Sequence, residues 1–432
     1  MLNVRDILFH SCQIVAQRCQ GRMPLDEVCR LYFIKNRHIG SKTRRASKEN
    51  VYQVFRNFRR CMDIITAVSF HPGHSYEALL MHADIQQLLC FVVCTCTGAD
   101  RTQLFCDMYP DNAYKDHCSK ICTAYSDIIH GQKGGYPGCN VPFWIEDKLA
   151  NHPLGQEVMR SFEAPSSQTV RVNTLISSVE RVMKEMERCG VVAKPSHEVA
   201  TAIHVVRGNF TQSPGYLRGH FEVQDLSSQI LCALINPTPD DYGLDFCAGA
   251  GGKTLALGAL QKNKGKIVAS DIDRKRLMRG RQRAQRAGAK NIYFADQHEL
   301  SSNTTFTNFD WVLVDAPCSG SGTWHRNPDM RWFITVEDLQ KYQICQREVL
   351  AAGASRVRRG GLLVYATCSL FEAENTQNVE WFLDTHPEFR CVDVRLRHLL
   401  PGPWQTYSDR YLRLLPLQQG RDGFFASVMR RI

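Results

Sequence analysis

The chain is short of long apolar runs: LLCFVVCTC at 88–96, the longest near the front, is roughly half the length that crosses a bilayer. The opening MLNVRDILFH also lacks the layout of a secretory signal. Both absences point to a cytoplasmic protein with no membrane partner. No CxxC pair occurs in the group Cys90, Cys94, Cys96, Cys106, Cys118 and Cys122, so zinc-site spacing is missing and no metal is expected. The 18 cysteines do not argue for a disulfide framework either, because that inference belongs to short secreted chains. They read as reduced thiols, small and mostly buried. There is no internal repeat and no low-complexity tract.

At 432 residues the chain has room for two or three domains with real cores. Lys and Arg number 53 against 43 Asp and Glu, and a net charge of +10 favours a polyanionic partner. Residues 1–155 have helical periodicity, with basic residues at 36–60 around a Gly-Ser break and a helix expected to open near Ser47. The dense Gly and Pro of GQKGGYPGCNVPFW (131–144) mark a connector. Residues 156–220 form a small α+β module: TVRVNTL as strand, SSVERVMKEMERCG as an amphipathic helix capped by Ser177 or Ser178, and TAIHVV as a second strand. Residues 221–432 alternate strand and helix. YGLDF, KIVASD, NIYFAD, FDWVLVD and GGLLVYATCS are five strand candidates of a doubly wound α/β sheet, and YLRLLP with GFFASVMRR reads as a closing hairpin.

LDFCAGAGGKTLALGAL (244–260) is a strand, a glycine-rich turn and a helix, a layout that offers backbone amides to a ligand. Cys247 stands where a P-loop needs its first glycine, and Thr254 where a dinucleotide fingerprint needs its third. S-adenosylmethionine fits better, since it needs only a close backbone approach and two acids. Asp271 ends the next strand and suits the ribose hydroxyls; Asp296 ends the third and suits the adenine amino group. The candidate cofactor residues are Cys247, Ala248, Gly249, Ala250, Gly251, Gly252, Lys253, Asp271, Asp296 and Asp315.

In VLVDAPCSGSG (312–322) an apolar strand runs into an acid, a cysteine and a Ser/Gly turn, and VYATCSLFEAEN (364–375) ends a second strand in another cysteine. Neighbouring strands would bring Cys318 and Cys368 to one crevice with Asp315 and Lys253. That set suits methylation of a pyrimidine at C5: a thiolate added at C6 makes C5 enamine-like, and Asp315 holds the N3/N4 edge of cytosine. Thiols are only slightly ionised at neutral pH, so the nucleophile needs an activating field, for which Lys253 is a candidate.

DAPCSGSGTWHRNPDMRW and YATCSLFEAEN, with CAGAGGKT, EVQDLSSQ, RVNT and DGFFAS, resemble the RsmB (Sun/Fmu) type of RNA cytosine-5 methyltransferases. The resemblance implies a Rossmann-like class I methyltransferase domain, preceded by an all-helical NusB-like domain and a small RNA-recognition-like module. It also implies Cys368 as nucleophile, Cys318 as the residue that assists product release, and ribosomal RNA as substrate, with no obligate protein partner. Transfer RNA by the same chemistry, a non-catalytic RNA-binding assembly factor and, more distantly, a P-loop ATPase are the alternatives. Where the family usually has Ala-Pro this chain has Gly249-Ala250, a change that frees an N–H and loosens the loop.

The stretch 273–290 carries eight basic residues, and Arg279, Arg283, Arg286 and Lys290 recur at helical spacing as a stripe suited to phosphates. Arg171 and Asn173 of the RVN motif join Arg279, Arg283 and Arg286 as candidate RNA contacts. A target cytosine must leave any stack before C6 is accessible, and Trp324 or Trp332 is a candidate to stack beside it.

Overall fold

The computed structural model describes residues 4–60, 62, 139–164, 167–394, 410–417 and 421–432, except 22 and 151. The cysteines from 90 to 122 lie outside the described residues. Two compact units emerge: 1–165 with 324–334, and 166–323 with 335–432.

The first unit is helical, with helices Val4–Gln20, Leu25–Lys35, Ser41–Arg56, Phe143–Ala150 and Gly155–Ser161. The third helix starts at Ser41 rather than near Ser47. Gly40 supplies its extended N-cap, and Ser47 is instead buried mid-helix, within reach of the Ile7 carbonyl. Residues 324–334 belong to this core. Arg18 donates to Asp329 at 2.7 Å with both side chains buried, and Arg331 donates to the carbonyls of Phe55, Arg56 and Phe162. Trp332 Nε1 donates to Phe55 O at 2.7 Å, and Trp324 meets Phe162 edge to face at 5.5 Å. The two tryptophans expected beside a flipped base are therefore core residues of this unit.

The second unit contains two sheets. The smaller runs β2–β3–β1–β4, all antiparallel, from β1 (Gln168–Val172), β2 (Val192–Pro195), β3 (Ala202–Arg207) and β4 (Phe221–Val223). Ser178 caps the helix Val179–Arg188, accepting from the Arg181 N–H, and Val182 and Met186 of that helix join Val170, Val172, Ile203 and Phe221 in one core. The other face is covered too, because Ala202 packs with Leu226 and Ile230 of the helix Leu226–Ile235.

The larger sheet has the order β10–β12–β9–β8–β5–β6–β7, with β11 beside β12. Its parallel part is β5 (Tyr242–Asp245), β6 (Lys266–Asp271), β7 (Ile292–Asp296), β8 (Phe309–Asp315) and β9 (Val357–Thr367), the five expected strands. Parallel strands buried on both faces read as continuous apolar runs. Here Val312 and Val314 pack toward Leu350 and Phe382, while Trp311 and Leu313 pack toward Ala256 and Ile230. Two helical layers thus hold the sheet at fixed height. β12 (Phe424–Arg431) returns antiparallel to β9 and pairs with β11 (Leu412–Leu414) as the expected hairpin; β10 (Phe389–Val392) closes the edge.

After β5 the chain builds outward through β6 and β7, then crosses back to place β8 on the other flank of β5. Ligands of such sheets bind beyond the strand ends at this reversal. Among the described residues no helix is long and apolar enough to cross a membrane, and no cluster of three or more His, Cys, Asp or Glu could hold a metal.

Candidate active site

β5 ends in Asp245, and the chain then turns through Cys247–Gly251 into the helix Gly252–Leu260. Gly249 (φ +56°) and Gly251 (φ +77°) sit in the left-handed region that disfavours a side chain, which is what lets the turn close so tightly. The loop is well tied despite lacking proline. Gly249 N–H donates to Asp271 Oδ2 at 2.7 Å, Gly251 N–H to Ala248 O at 2.9 Å, and Arg283 Nη1 to Ala250 O at 2.7 Å. No side chain caps the helix at Gly251, so its first N–H groups present positive partial charge toward a carboxylate.

Asp245 is buried. Its Oδ2 accepts from Thr254 Oγ1 at 2.6 Å while Oδ1 has no partner. Burial first, then the charges of Asp315 and Asp271, push its carboxyl up to about 7. Asp271, one strand over, also accepts the Asp273 N–H at 2.8 Å, which leaves two of its four acceptor positions for a ribose diol. Asp296 stands in register opposite Asp271, at the end of β7, and caps the following helix. Beside Asp271 the Ile272 side chain is 88% exposed, an apolar surface positioned for an adenine face. Periodicity does not mark Ile272, since it falls at the last polar step of VASDID. An uncapped helix N-terminus, a buried carboxylate oxygen without a partner, an acid with acceptor positions to spare at the next strand end and an exposed isoleucine together fit S-adenosylmethionine.

β8 and β9 are adjacent and parallel, with Asp315 opposite Ala366, so their loops meet. Lys253 Nζ donates to Asp315 Oδ2 at 2.6 Å. Burial would lower the Lys253 pKa, but the charge and hydrogen bond of Asp315 raise it above the ordinary lysine value. The ammonium also lies 5.2 Å from the Phe424 ring centroid. Cys318 Sγ and Cys368 Sγ are 3.3 Å apart, both as free thiols. The hydrogen bond to Cys368, burial and nearby negative charge hold Cys318 well above the usual thiol range. Burial does the same for Cys247.

The Ser/Gly turn after Cys318 answers a steric demand. Gly322 donates its N–H to Cys368 O and accepts from Gly423 N–H, both at 2.8 Å, and a Cβ at Gly322 would fall 2.1 Å from Gly423 O. Three backbone segments cross there with no room for a side chain.

The structure brings Cys318, Cys368, Asp315 and Lys253 together and places Asp271 and Asp296 on successive strand ends. It separates the basic candidates. Arg171 is buried, its Nε donating to Gln224 Oε1 at 2.6 Å, and Asn173 Nδ2 donates to Gly219 O and Ala287 O. Neither reaches the surface. Arg283 and Arg286 both pair with buried Glu222, and Arg286 lies over the Tyr216 ring. Arg279, exposed, lines with them a cleft of about 550 Å³. A second cleft of about 780 Å³ on the same helix includes Arg274, Arg281 and Lys290, with Asp296 at its margin.

Residues 232–430 match the family model described as 16S rRNA methyltransferase RsmB/F. The chain is 30% identical over 296 residues to "Probable ribosomal RNA small subunit methyltransferase B" of Bacillus subtilis, covering 67% of this chain and 66% of that one. It is 33% identical over 258 residues to ribosomal RNA small subunit methyltransferase B of Serratia proteamaculans, 59% and 58% of the two chains. It spans less than two thirds of the length of these curated relatives, 66% of the first and 58% of the second. A solved methyltransferase homologue from Pyrococcus horikoshii, 28% identical, superposes with a TM-score of 0.57 over 67% of this chain and 95% of that one. The crystal structure of PH0851, at 24% identity and a TM-score of 0.78 over the whole of both chains, shares the fold. The family's methyl donor is S-adenosylmethionine.

Proposed function

We infer from the match of residues 232–430 to the RsmB/F model of 16S rRNA methyltransferases that the protein is a cytoplasmic S-adenosylmethionine-dependent RNA methyltransferase acting at cytosine C5, with ribosomal RNA as its substrate. The observation that carries this reading is the 3.3 Å contact between two thiols at adjacent strand ends beside the Lys253–Asp315 pair. Direct methylation of a carbon needs no thiol; activating C5 through addition at C6 needs one.

Cys368 is the nucleophile. Its thiolate adds to C6, and the electron pair moves toward N3, where the Lys253 ammonium balances the negative charge that develops, while Asp315 accepts from the N4 amino group and holds the base edge. Asp271 and Asp296 hold the cofactor's ribose and adenine, the amides after Gly251 hold its carboxylate, and Ile272 covers the adenine face. When bound, S-adenosylmethionine supplies the electrophilic methyl group that the activated C5 accepts. Loss of the C5 proton to a water molecule then re-forms the C5–C6 double bond and expels the Cys368 sulfur as thiolate. Cys318, which keeps its proton beside the departing Cys368 sulfur, assists that release. Arg279, Arg283 and Arg286 line a cleft for RNA phosphates; with Arg283 and Arg286 shared with Glu222, Arg279 carries the most available charge.

The test incubates the protein, Cys368→Ala and Cys318→Ala with labelled S-adenosylmethionine and either ribosomal RNA lacking its own cytosine-5 methyls or transfer RNA. The expected result is labelled 5-methylcytosine in ribosomal RNA with the unsubstituted protein, none with Cys368→Ala, and a denaturant-stable protein–RNA adduct with Cys318→Ala. Label in transfer RNA alone would move the substrate; equal methylation by all three proteins would remove the two-thiol mechanism.

A further inference from the structure

Each cysteine of the site is followed by a serine, Cys318-Ser319 and Cys368-Ser369, and both serines serve one buried carboxylate, Glu374. Glu374 Oε1 accepts the Ser319 N–H at 2.8 Å and Gln346 Nε2 at 2.9 Å; Oε2 accepts the hydroxyls of Ser319 and Ser369. Four donors fill the acceptor capacity of an ionised carboxylate, and all four are neutral. Ser321 extends the clamp, its hydroxyl accepting the Leu370 N–H at 2.7 Å.

We propose that Glu374 is a positioning residue: its carboxylate clamps the loops that carry Cys318 and Cys368 into contact, and its negative charge keeps a proton on Cys318, the thiol that is not the nucleophile. The assignment deepens the reading of Cys368 as nucleophile and rests on it. The two thiols have unequal surroundings. Cys318 lies against the Cys368 sulfur and feels the Glu374 charge, both of which hold its proton, against a backbone N–H of Gly320 that acts the other way. Cys368 faces Lys253, whose ammonium it helps to keep charged. A cation on one side and an anion on the other set two chemically identical groups apart.

The test uses the full chain without RNA or cofactor. Iodoacetamide labelling across pH 6–10, read at Cys318 and Cys368 separately by peptide mass, is compared between the protein and Glu374→Gln, which keeps the side-chain shape and lets the serine hydroxyls reverse. The expected result is a melting temperature within about 3 °C of the parent and a rise of about tenfold in Cys318 labelling at neutral pH, equivalent to about one pKa unit. An unchanged Cys318-to-Cys368 labelling ratio overturns the charge role. A second arm measures single-turnover methyl transfer by Glu374→Ala and Ser369→Ala. The clamp predicts that kcat falls about 100-fold in the first and less in the second while KM for RNA stays within about twofold; parental kcat in Glu374→Ala overturns it. Should Glu374→Ala not fold, Glu374→Gln and Ser369→Ala decide. If the parent protein methylates no cytosine, the proposed function fails while the labelling arm still decides the role of Glu374.

Discussion

Lys253 stands among three acids. Asp245, Asp271 and Asp315 end adjacent strands, and the Lys253 ammonium pairs directly with the last of them. Its raised pKa puts its own titration above the ordinary lysine value, so the ammonium keeps its charge through neutral and mildly basic pH. Lys253→Met is expected to lower kcat/KM by about 10²–10³, measured by label transfer, because developing charge on the base loses its counter-ion. Asp245 behaves in the opposite range. Its folded carboxyl titrates at about 7, above the unfolded value, so the stability tied to its proton is fully present below about pH 4 and is lost as pH rises through 7. Asp245→Asn removes that titration, and the decline in melting temperature between pH 5.5 and pH 8 should become shallower than in the parent. A decline of equal slope would show that Asp245 ionises in the folded protein as it does in the unfolded chain.

At the scale of elements, the crossing of Gly322, Gly423 and Cys368 joins the β8 loop to the start of β12 and the end of β9. Gly322→Ala places a methyl 2.1 Å from the Gly423 carbonyl oxygen and must separate these backbones. The expected cost is about 1–3 kcal/mol in denaturant unfolding, with methyl transfer reduced beyond what that loss explains, since the shift falls on Cys318. The five parallel strands were legible because strands buried on both faces leave an uninterrupted apolar signal, and the cysteines were legible because each closes such a run. Glu374 was not. It shares FEAEN with Glu372, and nothing in that pentapeptide distinguishes the exposed acid that pairs with Arg413 from the buried one that holds both loops. The basic stripe was legible only in part: helical spacing places Arg279, Arg283 and Arg286 together, and they line one cleft, but the acid that engages two of them, Glu222, comes from β4 some 60 residues earlier. Arg171 and Asn173 of the RVN motif are candidate RNA contacts in the sequence, yet both are buried, and the second face of the small sheet is covered by the helix Leu226–Ile235.

For the whole molecule, the net charge of +10 has a measurable form. RNA affinity should fall with salt, and Arg279→Ala should flatten the slope of log Kd against log salt by about 0.7–0.9, alike for every RNA sequence, as removal of a phosphate contact does. The same scale exposes what motif reading could not divide. The stretch 315–332 is continuous as a motif, but it serves the thiol site through Thr323 and the helical unit from Trp324 to Ile334. Buried residues are dense on both sides of that junction, Ser319 and Ser321 before it and Trp324, Asp329 and Arg331 after, so composition gives no boundary. Arg331 fixes what the second half is for. Burial lowers its pKa to about 9, still charged at neutral pH, and its guanidinium donates to Phe162 O and shares Phe55 O with Trp332 Nε1 and Arg56 O with Asn140 Nδ2. Arg331→Met removes the side-chain donor to Phe162 O and one of two donors to Phe55 O and to Arg56 O, which should destabilise the helical unit by about 1–3 kcal/mol. Denaturant unfolding followed by tryptophan fluorescence would read it, because Trp324 and Trp332 flank the substitution. A midpoint unchanged from the parent would mean that water replaces the guanidinium, and that 324–334 is held by its tryptophans and the Arg18–Asp329 pair alone.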